Sequence, residues 1–87
     1  MYIVGHHNIN NTENFWASAQ LHLPQLPEAG VKRVVSVFPN QDMDKCTCIW
    51  EADSIENLDR YLRVIVGTAS SDSYYQLNEA ATVGLEA

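Results

Sequence analysis

The sequence predicts an α+β domain of the ferredoxin-like type, ordered βαββαβ, with a four-stranded antiparallel sheet and two helices on one face. Three observations carry this. Two segments repeat apolar residues at helical spacing, each segment lies between runs of strand-forming residues, and no linker, repeat or low-complexity tract interrupts the 87 residues. Residues 1–87 therefore read as one domain.

The first strand is the β-type run Tyr2-Ile3-Val4-Gly5-His6. Asn8 to Thr12 reads as a turn, with Asn11 or Thr12 placed to cap a helix. On a 3.6-residue wheel Phe15, Trp16, Ala19 and Leu23 share an arc of about 100°, the stripe that a surface helix buries, and His22 falls at its rim. Pro24 and Pro27 end that helix. Val31 to Phe38, dense in β-branched residues, is the clearest strand. The polar loop Pro39–Asp44 joins it to Lys45–Glu51 as an antiparallel hairpin, with Cys46, Cys48 and Trp50 on one face. Asp53-Ser54-Ile55-Glu56 resembles a capping box headed by Asp53. Ile55, Leu58, Tyr61, Leu62, Ile65 and Val66 then form one apolar arc, and Gly67 stops the helix. Glu56–Arg60 and Asp59–Arg63 are i,i+4 pairs in the favourable order. Ser70-Ser71-Asp72 reads as a loop, Ser73–Leu77 as the last strand, and Glu79-Ala80-Ala81 as a short helical turn.

Composition narrows the function classes. Eleven acids against five bases give a net charge of −6, and the bases are scattered. Phosphate neutralisation needs a basic stripe, so neither nucleic acid nor an anionic membrane is an expected partner. The longest apolar run, Val64-Ile65-Val66, is too short to span a bilayer, and the N-terminus lacks the pattern of a signal peptide. A cytoplasmic location follows as the expectation, with Cys46 and Cys48 reduced and structural. A domain this short buries a modest share of its surface, and both faces of the sheet carry apolar residues. A second copy of the chain is the economical cover for the far face, so a homodimer is expected.

Three stretches carry a resemblance: Phe15-Trp16-Ala17-Ser18-Ala19-Gln20, then Cys48 to Glu56, then Ser73-Tyr74-Tyr75-Gln76-Leu77 with Ala80 to Leu85. With them the chain resembles small bacterial proteins of the dimeric α+β barrel superfamily. The resemblance implies two subunits whose sheets face each other to close a barrel. The wider group includes cofactor-free monooxygenases, polyketide cyclases, haem enzymes and metal-binding proteins, so membership selects no single activity.

The candidate catalytic residues are His6, His7, His22 and Tyr74. Histidine titrates near neutral pH and suits a general base. Adjacent strand residues point to opposite faces, so His6 and His7 do not chelate one ion. His22 could complete a site with either. Tyr74 and Tyr75 split across the sheet, and the resemblance implies that a tyrosine could donate to a carbonyl substrate. Phe15, Trp16, Trp50 and Tyr75 are the expected ligand-binding residues, lining a pocket for a small apolar or aromatic molecule. Cys46-Thr47-Cys48 is not the C-x-x-C of a redox or zinc site, and Asp42-Met43-Asp44 lacks the ligands of a calcium loop. No phosphate loop, nucleophile elbow or metalloprotease helix is present, so no cofactor and no metal site is expected. The leading reading is a small-molecule-binding or interaction module. The alternatives are a cofactor-independent monooxygenase- or cyclase-like enzyme and, more weakly, a metal-binding protein.

Overall fold

A computed structural model describes residues 1–85. The elements are β1 (Tyr2–Ile9), α1 (Thr12–His22), a 3-10 turn (Leu23–Gln25), β2 (Val31–Pro39), β3 (Lys45–Ala52), α2 (Ile55–Val66) and β4 (Ser70–Gln76). All strand pairs are antiparallel and the sheet order is β2-β3-β1-β4, the ferredoxin-like arrangement.

Several boundaries differ from the sequence reading. β1 continues through His7 and Asn8 to Ile9, because Asn8 pairs with both Lys45 and Ser71 across the sheet. Likewise β4 begins at Ser70, since Ser70, Ser71 and Asp72 pair with Ile9, Asn8 and His7. Backbone pairing to a central strand outweighs the weak strand preference of serine and aspartate. The head of α2 is Ser54 rather than Asp53: its hydroxyl accepts from the Asn57 N–H at 3.0 Å. Ser54→Ala is therefore expected to cost about 1 kcal/mol in urea unfolding, whereas Asp53→Ala should be near neutral. Asn11 caps α1 by accepting from Asn14 N–H at 3.1 Å. Arg63 meets Asp59 at 2.8 Å as expected, but Arg60 turns to Asn57 instead of Glu56. Gly67 takes φ +57 at the end of α2, a conformation that a side chain would strain. Residues 79–81 form a hydrogen-bonded turn without becoming a helix.

The register sorts the sheet into rows. On the helix face one row runs Gln76, Ile3, Trp50, Val34; the next runs Tyr74, Gly5, Cys48, Val37; the third begins Asp72, His7, Cys46. Leu58, Tyr61, Leu62 and Val66 of α2 and Phe15 of α1 close over these rows. On the far face an apolar row of Tyr75, Val4 and Ile49 lies between two polar ones. One is Tyr2, Glu51, Arg33, tied by a 2.9 Å Arg33–Glu51 ion pair. The other is Ser73, His6, Thr47, ending at Phe38. Among the described residues no helix covers this face. Phe38 is 60% and Tyr75 53% exposed. Residues 83–85 of the tail reach it beside Val35, Phe38 and Ile49.

Edge strand β2 carries two register shifts, which leave Lys32 and Val35 without a cross-strand Cα partner. No helix among the described residues is long and apolar enough to cross a membrane.

Candidate functional site

The register brings a histidine and a carboxylate together in the core. His7 projects from β1 beneath the helices, and Asp72 stands opposite it on β4. Nδ1 of His7 lies 2.6 Å from Asp72 Oδ1, and the Ser70 hydroxyl donates to the same oxygen at 2.8 Å. The imidazole is only 2% exposed. Burial pushes the Asp72 carboxyl up, but the hydrogen bonds from His7 and Ser70 and the charge of His7 together hold it below its usual range. An ionised Asp72 only accepts, so Nδ1 carries a proton and, in the neutral ring, Nε2 presents its lone pair inward.

Among the described residues Nε2 has no hydrogen-bond partner, and neither has the indole N–H of Trp50. Both converge over Gly5. A Cβ built on that glycine would stand 3.1 Å from Nε2 and 3.3 Å from Trp50 Nε1. Glycine here leaves open the one point that an acceptor and a donor share. Beside it lies a cavity of about 20 Å³, walled by His7, Trp50, Phe15, Cys46, Cys48 and their apolar neighbours. That volume suits a single water-sized molecule. Trp16, Ala19 and Leu23 line this cavity and also a larger apolar cleft of about 460 Å³ bounded by Pro24 and Met43. Trp16 is fixed by its N–H, which donates to Met43 O at 2.9 Å, and by an edge contact with Phe15.

Tyr74 meets His7 edge-on, with ring centroids 6.4 Å apart, and Phe15 lies 5.7 Å from the same imidazole. The Tyr74 hydroxyl is buried and meets no hydrogen-bond partner of good geometry among the described residues. Burial, then the charges of Asp72 and Asp59, push its pKa well up, so it stays a donor.

The expected site residues thus divide. His7, Phe15, Trp16, Trp50 and Tyr74 gather between the sheet and the helices. His6 and Tyr75 sit on the far face, with ring centroids 6.1 Å apart and His6 Nδ1 3.0 Å from Thr47 Oγ1. His22 joins neither histidine; it lines a different cleft with Glu28, Arg60 and Tyr61. Tyr75 therefore does not wall the inner cavity. Sequence reasoning missed Asp72, Ser70 and Gly5. The signal for Asp72 was present: it lies two residues before Tyr74 and shares its face once β4 is extended. Among the described residues no three histidine, cysteine or acidic side chains are placed to hold a metal ion.

No family model matches the chain and no curated protein matches it. A search of solved structures finds a Bordetella bronchiseptica protein provisionally assigned as an antibiotic biosynthesis monooxygenase. The match has a TM-score of 0.54 at 15% identity and covers 87% of this chain and 96% of that one. The two share one fold. At that identity the likeness supports the βαββαβ fold alone and leaves the activity to be argued from the residues.

Proposed function

We propose that the chain binds a small apolar or aromatic molecule between its sheet and helices and works as a homodimer of the α+β barrel type. One observation carries the binding reading: His7 Nε2 and Trp50 Nε1, both buried and without a partner among the described residues, stand close to one point above Gly5. Buried polar atoms are normally paired, so two that stand close to one point mark a place for a ligand group that both accepts and donates. The apolar cleft at Trp16 offers the volume for the ligand body, and Trp16, lining both spaces, would have to give up its hydrogen bond to Met43 O for the ligand's polar group to reach His7.

The test is titration with hydroxylated naphthalenes, read by quenching of tryptophan emission. Gly5→Ala places a methyl at the convergence point and should weaken binding at least about tenfold, the loss of one hydrogen bond to a buried group. Unchanged affinity in a folded Gly5→Ala protein would reject the site.

A second reading is favoured by the Asp72–His7 pair. A carboxylate that orients an imidazole, leaving Nε2 without a partner among the described residues, fits a general base acting on an enol or phenol, with Tyr74, edge-on to the same ring, as donor. This is the cofactor-independent monooxygenase- or cyclase-like alternative. Oxygen uptake with a hydroquinone in metal-free buffer, lost in Asp72→Asn, supports it; binding without turnover leaves the module reading.

The homodimer reading rests on Tyr75 and Phe38, exposed on the sheet face away from the helices. Light scattering at micromolar concentration should return twice the 9.8 kDa chain mass, and Tyr75→Glu should halve it. A wild-type mass of one chain would overturn the dimer.

A further inference from the structure

The two cysteines are left unused by the pocket reading. Both are free and buried, and their sulfurs stand 3.4 Å apart on the inner face of β3. Alternate residues of a strand lie about 6.6 Å apart at Cα, given a rise of about 3.3 Å per residue. Disulfides span about 4.4–6.8 Å between Cα atoms, so this pair stands at the upper limit. Bringing the Cβ atoms to the required separation of about 3.5–4.5 Å needs a local pucker of the strand. A bond closed near that limit is strained and easily reduced, as regulatory disulfides are. Both thiols line the inner cavity, whose volume suits a molecule the size of water or hydrogen peroxide.

We propose that Cys46 and Cys48 are a reversible dithiol switch that hydrogen peroxide closes into an intrachain disulfide. The hydrogen bond from Cys48 holds the Cys46 thiol below its ordinary range, while the same bond and burial push Cys48 up, so Cys46 is the attacking sulfur. Its thiolate attacks one peroxide oxygen, the O–O bond breaks, and the departing hydroxide takes a proton to become water. The Cys46 sulfenic acid is then attacked by the Cys48 sulfur; the S–O bond breaks and a second water leaves. Two thiols and one peroxide give one disulfide and two waters, the sulfurs being oxidised and the peroxide reduced. Cys46 is the cross-strand neighbour of His7 and Cys48 that of Gly5, so the bond reshapes the wall facing Nε2. That last consequence rests on the pocket reading; the disulfide does not.

The experiment exposes reduced, folded protein to hydrogen peroxide, then alkylates and digests it with trypsin without reduction. Cleavage after Lys45 and Arg60 leaves both cysteines on one peptide, residues 46–60. The expected result is joint loss of both titratable thiols and a peptide lighter by two hydrogens, about 2 Da, restored by dithiothreitol. Cys46→Ala and Cys48→Ala should each abolish that mass loss and leave the remaining sulfur as an oxygen adduct. The proposal is overturned if folded protein keeps both thiols at a dose that oxidises the urea-unfolded chain. It is equally overturned if the product is a disulfide between chains or a sulfinic acid without the mass loss. Since wild type supplies the decisive readings, a misfolded variant does not blunt the test.

Discussion

His7→Ala is expected to destabilise the domain by about 3–5 kcal/mol at neutral pH, enough to leave a small domain close to unfolded. The imidazole fills the core beside Phe15 and Tyr74 and supplies the short contact that holds Asp72. Its removal leaves a buried carboxylate with the Ser70 hydroxyl on the same oxygen and no charged partner. Urea unfolding of both proteins across pH checks the cause. In wild type the depressed Asp72 pKa contributes stability that is present above the unfolded carboxyl value, about 4, and is lost as pH falls through the lower folded value. In His7→Ala that carboxyl is no longer favoured as an anion, so its penalty should shrink on acidification. The gap between the two proteins then narrows below about pH 4. A gap that stays constant with pH would show that lost packing, not the stranded charge, sets the cost.

Leu58→Ala should cost about 2–5 kcal/mol, the price of a cavity in a fully packed site. Leu58 has no exposed surface and lies on the side of α2 that covers the sheet, whereas Leu21 on α1 is 62% exposed. Leu21→Ala should therefore stay within about 0.5 kcal/mol of wild type. Thermal melts separate the two, since each kcal/mol moves the Tm of a domain this size by about 4–8 °C. Equal shifts would mean that α2 does not pack on the sheet through this face.

Both helices were legible because their apolar residues recur at helical spacing and their ends carry Asn11, Pro24 and Gly67. The hairpin was legible from the β-branched run in β2 and the alternation in β3. What escaped was strand length. Asn8, Ser70, Ser71 and Asp72 prefer turns locally, and only pairing between β1 and β4 draws them into the sheet. The same effect hid the candidate site. Once β4 is cut short at Ser73, Asp72 is a loop residue and His7 has no partner, so the dyad cannot be seen. Conversely, alternation correctly separated His6 from His7 and Tyr74 from Tyr75. His22 could be placed at a helix rim by the wheel, but the wheel does not say which neighbour that rim meets. The distance between the two thiols depends on side-chain rotamers, which a pattern of alternating residues does not determine.

The irregular pairing along β2 bears on how the molecule meets its own copies. An exposed edge strand is a template on which another sheet can grow, and flat, regular edges invite fibrils. At Lys32 and Val35 the spacing of free backbone groups breaks step, a lysine charge stands at the first break, and Pro39 withholds a donor at the strand's end. The opposite edge, β4, presents Ser70, Ser71, Asp72 and Ser73. Sideways addition is thus discouraged at both borders. The proposed dimer would instead use the broad surface of the sheet, where association ends after one partner rather than propagating.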